Sequence, residues 1–145
     1  MLKTYQISAQ LVVVALLSLT SLGCRGNPSH SLPIEGTIDI EVTLDGIICF
    51  TPNLHNVTFA GKPHDDIEGI QARRVAIPMV TGWSTYHKDK FAVISDRKKT
   101  CITDQNFEDT PYKDLIHGNT YDLFVSGLTA DDIYHVDFSG SFYYP

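Results

Sequence analysis

Basic residues are scarce in this sequence: 11 Lys and Arg stand against 17 Asp and Glu in 145 residues. Such a surface repels phosphate backbones, so nucleic acid is not an expected partner. Long hydrophobic runs are missing as well. The most apolar stretch, Leu11–Thr20, is about half of the roughly 20 residues that a helix needs to cross a bilayer core. The six histidines, His30, His55, His64, His87, His117 and His135, include no H-x-H or H-E-x-x-H spacing, so no zinc constellation is encoded. No Gly-x-Ser-x-Gly elbow occurs. Cysteines number three, and two of them, Cys49 and Cys101, sit beside Ile48 and Ile102, a setting that favours burial over an activated thiolate. No long stretch carries a 3.6-residue apolar period, and there are no repeats or low-complexity segments. Catalysis therefore finds no supporting constellation, and the expectation is a protein that is not an enzyme and takes no cofactor or metal.

What is present begins with an address. Lys3 lies in a short polar start, the apolar stretch follows, and Ser21-Leu22-Gly23-Cys24 closes it. A charged start followed by a short apolar run is the layout of a secretory signal. The closing residues resemble the bacterial lipobox, in which the Cys is diacylated and becomes the new amino terminus. That resemblance implies a lipoprotein signal peptide at 1–23 that is removed, lipidation at Cys24, and a membrane anchor made of several acyl chains. Arg25 stands where an inner-membrane retention signal would place an Asp, and the resemblance to lipoprotein sorting in enteric bacteria implies the periplasmic face of the outer membrane. The polar, Pro- and Gly-containing residues that follow complete a lipidated tether over 24–35. Without Lys3 the mature chain has ten bases against seventeen acids, a net charge of −7. Its 122 residues make one ordinary domain, expected over 36–145.

Cys49 and Cys101 then remain as an even pair in an oxidising compartment, and the expectation is a disulfide between them. Two buried thiols that never meet are the alternative.

The domain reads as strands. Ile38, Ile40, Val42 and Leu44 alternate with Thr37, Asp39, Glu41 and Thr43, the period of a half-buried strand. Asp45-Gly46 follows, suited to a two-residue hairpin turn in which both residues take positive φ, and Ile47–Phe50 is the return strand, ended by Pro52. Further strands are expected at Val57–Phe59, Gly69–Ile77, Phe91–Ser95, Thr100–Ile102, Tyr121–Ser126 and Tyr134–Tyr143. Asp109–His117 could form one helical turn. Short strands at this density predict an all-β fold, an antiparallel β-sandwich of about seven strands. Gly118-Asn119-Thr120-Tyr121 resembles the tyrosine corner of Ig-like and fibronectin-like domains, where the hydroxyl bonds an upstream backbone group. Cys49, Trp83 and Cys101 stand in the Ig order, but the second Cys has no Tyr two positions before it, so the expectation is an Ig-like or fibronectin-like sandwich and not a true Ig domain.

What remains for function is a recognition surface. An acidic strip runs through Asp65, Asp66, Glu68, Asp104, Glu108, Asp109, Asp131 and Asp132, most of them in expected loops, where such folds bind. Asp65, Asp66, Glu68, Asp131 and Asp132 are the candidate binding residues. Acidic loops speed encounter with a basic partner; they also simply keep a domain soluble. Arg97-Lys98-Lys99 reads as a polar hairpin tip.

The layout of lipobox, Gly36–Leu44 leading into Ile47-Ile48-Cys49-Phe50, Thr100-Cys101-Ile102 and Gly118-Asn119-Thr120-Tyr121-Asp122 resembles the type VI secretion immunity lipoproteins of enteric bacteria. The resemblance implies a periplasmic protein that binds a protein toxin delivered by a neighbouring cell and blocks it. The competing reading is an envelope accessory or ligand-binding sandwich lipoprotein without catalytic activity.

Overall fold

The computed structural model describes residues 32–80 and 82–145. The expected signal peptide, the expected lipidation site Cys24 and the expected tether as far as Ser31 lie outside the described residues.

Ten strand segments follow one another: β1 (Ile34–Val42), β2 (Ile48–Pro52), β3 (Thr58–Phe59), β4 (Lys62–Pro63), β5 (Ile70–Ala76), β6 (Ser84–Thr85), β7 (Val93–Ile94), β8 (Thr100–Cys101), β9 (Asn119–Thr129) and β10 (His135–Tyr144). No helix occurs among the described residues. Every strand expected from the sequence has a counterpart, and β4 and β6 are two short additions. The chain is an all-β, mostly antiparallel sandwich. One sheet runs β4-β3-β1-β10-β9-β5-β6, and β2 with β8 forms the other side through β1. β1 divides between them. Its first half, Ile34–Thr37, pairs with Val136–Ser139 of β10, while Ile38–Val42 pairs with Ile48–Pro52 of β2. The β1–β10 pairing is parallel, a departure from the antiparallel expectation that follows from β1 lying beside the last strand before it crosses to the other sheet.

Alternation does the core-building. Along β9, Tyr121, Leu123, Val125, Gly127 and Thr129 point inward, and along β10 Val136, Phe138, Phe142 and Tyr144 do so. Tyr121, Leu123, Val125, Val136, Phe138, Phe142 and Tyr144, with Ile34, Ile48, Phe50, Ile70 and Phe107, belong to one apolar cluster, the burial that stabilises a domain of this size. Trp83 joins it, its Nε1 buried and without a hydrogen-bond partner among the described residues.

Two local expectations are corrected. The Asp45-Gly46 pair is not a two-residue turn. Gly46 N donates to Thr43 O at 2.9 Å, Thr43 N donates to Ile47 O at 2.9 Å, and Gly46 has φ +78 while Asp45 is absent from the positive-φ residues. The loop is therefore a Leu44-Asp45 turn followed by a left-handed Gly, the next commonest hairpin geometry. Leu44, expected inward, is at the turn and fully exposed. Residues 109–117 form no helical turn but a tight turn closed by Asp114 N to Pro111 O at 2.9 Å.

Cys49 and Cys101 form the expected disulfide, directly opposite each other in the β2–β8 ladder with Cα atoms 3.9 Å apart. On the neighbouring rung Ile102 N donates to Ile48 O at 2.9 Å. The Tyr112 hydroxyl supplies the return, accepting from Ile48 N at 3.0 Å and donating to Ile102 O at 2.5 Å. Burial pushes the Tyr112 phenol above its ordinary pKa, partly opposed by the bond from Ile48.

Candidate functional site

The turn joining β9 to β10 organises the surface. Thr129, almost fully buried, donates its hydroxyl to the Asp131 carboxylate and accepts the Tyr134 N–H at 3.1 Å. Asp132 N donates to Thr129 O at 2.8 Å, and Asp132 takes the left-handed φ of +62, a conformation that Asp tolerates better than most residues. The turn thus projects Asp131, Asp132 and Ile133, the last of these 66% exposed.

On one side lies a cleft of about 230 Å³ lined by His64, Asp66, Glu68, Asp131 and Tyr134. Three of the five residues singled out in the sequence meet here: Asp66 and Glu68 from the loop after β4, and Asp131 from the turn. Asp65 and Asp132 do not line it. The wall is aromatic, with the His64 ring edge-on to Phe59 at 6.2 Å and to Tyr134 at 5.9 Å. Carboxylates beside aromatic edges suit a cationic side chain.

Asp66 has a second task. His55 bridges two loops, with Nδ1 2.9 Å from Asp66 and Nε2 2.9 Å from Asp96. These two carboxylate hydrogen bonds, Asp66 first, raise the His55 pKa above its ordinary 6.5. The spacing of His55, Asp66 and Asp96 gives no motif in the sequence, because the three residues meet only when the loops fold together. Among the described residues no group of three or more His, Cys, Asp or Glu side chains is placed to hold a metal ion.

On the other side of the turn Asp132 faces a different hollow, of about 510 Å³. There it pairs with Arg73 at 3.4 Å, and Glu108 reaches the same hollow. Tyr86 and Phe91, 50% and 83% exposed, also line it. Sequence reasoning placed Phe91 in a strand and did not single out Tyr86. The signal available was weak: aromatic residues beside the bases of Lys88, Lys90 and Arg73. Asp104 and Asp109 line neither space. Of the basic run, Lys99 pairs with Glu41, and Arg97 and Lys98 lie in the turn between β7 and β8.

A third space, an open groove of about 620 Å³, crosses the solvent face of the sheet between Glu35, Arg74, Phe124 and Asp137.

No family profile matches this chain, and no curated protein and no solved structure matches it.

Proposed function

We propose that this chain is a periplasmic lipoprotein, anchored through Cys24, that acts as an immunity protein: it binds and inhibits a toxin delivered by a type VI secretion system. The observation that carries the reading is the cleft that brings Asp66, Glu68 and Asp131 together beside an exposed turn. It offers a charged receptor for a basic surface, on a domain whose 32–145 segment holds seventeen acids against nine bases. The disulfide-stapled fold supports a location outside the cytoplasm, since disulfides persist in oxidising compartments. Inhibition by binding requires an interface on the order of 1,600 Å² and slow dissociation. Acidic loops raise the association rate, and contacts around the turn set the lifetime of the complex.

The sheet-face groove favours a second reading, an envelope accessory or ligand-binding sandwich. Its 620 Å³ is within the range of small-molecule sites, although it is open. Contact competition separates the two. A strain lacking this gene should die against a parent that fires the secretion system and survive against one that does not. Survival in both cases would reject the immunity reading.

A further inference from the structure

β5 is paired with β9 along its length, but its other edge is covered only at the ends. β7 meets it at Ile70 and Gln71, and β6 meets it at Val75 and Ala76. Ala72, Arg73 and Arg74 have no partner strand on that edge among the described residues. The cause is visible in the chain leaving β6. Instead of continuing along β5, it turns to the 106–108 segment: Glu108 N donates to Tyr86 O at 3.0 Å, Lys88 N donates to Asn106 O at 2.8 Å, and His87 forms an isolated bridge with Phe107. The His87 ring is locked edge-on to the buried Phe107 at 5.1 Å. A gap is left between this loop and β5, and the 510 Å³ hollow fills it, lined by the buried Ala72 and by the exposed Tyr86 and Phe91. The β5 register shifts between Ala72 and Arg74. Such a bulge re-aims a side chain, and here Arg73 is held at the rim by Asp132.

We infer that this hollow is the socket in which the partner protein is anchored: it receives the tip of a protruding loop, whose apolar side chain lodges between Tyr86 and Phe91 while its main chain meets the open edge of β5 at Ala72–Arg74. The inference rests on the reading of the chain as a protein-binding module and names where that binding is anchored. A three-residue opening is about 10 Å of strand, closed at one end by β7 and at the other by β6, so a through-running strand is excluded and a loop tip is admitted. Aromatic side chains ringed by Arg73, Lys90, Glu108 and Asp132 reproduce the composition of an interface anchor, an apolar centre with a charged rim. The socket and the acidic cleft lie on opposite sides of the same β9–β10 turn. Asp131 lines one and Asp132 the other, so a partner seated across the turn meets both. Charge complementarity then sets the character of the partner: basic residues flank its apolar tip, matched to Asp66, Glu68 and Asp131.

The test is an NMR titration of the isotope-labelled full chain with three capped cyclic peptides, whose tips read Lys-Trp-Lys, Lys-Ala-Lys and Glu-Trp-Glu. The expected result is saturable shifts at the Ala72, Arg73, Arg74 and Phe91 amides with the first peptide. Affinity for the other two should be at least about tenfold weaker, the change expected when roughly 1.4 kcal/mol of binding is lost. Phe91→Asp should abolish the shifts. Phe91 is exposed, so that variant should retain the wild-type unfolding midpoint; Tyr86→Ala serves as a second variant if it does not. Absence of saturable shifts at these amides, or equal shifts with all three peptides, overturns the socket. None of these readouts depends on toxin resistance. A positive titration with a failed competition assay rejects immunity alone, and the reverse rejects the socket alone.

Discussion

The Tyr121 hydroxyl accepts the backbone N–H of Ile116 at 2.9 Å, tying the start of β9 to the loop that leads into it. The ring is buried against Phe142, centroids 5.8 Å apart, so the phenol is fixed by its apolar body and used by its polar tip. Tyr121→Phe keeps the packing and removes the bond. Ile116 is exposed enough for water to replace part of what is lost, so the expected cost is about 1 kcal/mol. Thermal unfolding should show it as a drop of roughly 4 °C in Tm.

The disulfide should matter more. Cys49 and Cys101 are separated by 52 residues, and on the chain-entropy estimate closing a loop of that size contributes about 4 kcal/mol. The Cys49→Ala/Cys101→Ala double variant should lose stability of that order in urea. The Tyr112 bridge between Ile48 and Ile102 should keep β2 and β8 together in the residual fold, so amide exchange at Ile48 should remain protected below the unfolding transition.

His55 gives the molecule a pH dependence of known sign. Its folded pKa is raised by Asp66 and Asp96, so its contribution to stability is fully present below 6.5 and is lost as pH rises through the higher folded value. The His55→Gln variant should therefore differ from wild type most on the acidic side of that window and converge with it above. Urea midpoints across the pH series check this. Added salt should shrink the difference, because the groups are exposed and screened.

Gly127 and Gly61 test two different uses of glycine. A Cβ on Gly127 would lie 2.1 Å from the Gln71 carbonyl oxygen, a clash of backbone with backbone at the β5 bulge that no side-chain rotation relieves. Gly127→Ala should cost about 3 kcal/mol. At Gly61 nothing lies within 4 Å but φ is +73, so Gly61→Ala should cost only the left-handed strain, about 1–2 kcal/mol. Urea denaturation of the two variants should rank them in that order.

The Tyr121 corner and the β1 strand are contiguous patterns, and contiguous patterns survive folding. The Cys49–Cys101 pairing followed from parity once Cys24 was set aside. The Asp45-Gly46 turn was misplaced by one residue because Gly46 alone needs positive φ, and a dipeptide preference does not distinguish the two hairpin geometries. Asp66, Glu68 and Asp131 were named correctly as loop acids, yet only the β9–β10 turn decides that Asp131 joins the cleft while Asp132 turns away. The Tyr86–Phe91 hollow had only a weak sequence signature, aromatic residues near bases. It exists because residues 86–88 bond to residues 106–108 rather than to β5, a competition between two distant partners for one segment of backbone.

If this chain acts by holding a toxin, calorimetric mixing of the purified chain with a candidate type VI effector encoded near its gene measures that directly. The expected result is a stoichiometric, slowly dissociating complex in which the toxin is inactive, weakened at least tenfold by reversing the charge of Asp66, Glu68 and Asp131 together. No heat of binding, or a toxin that remains fully active when saturated with this protein, would rule out toxin inhibition as its role.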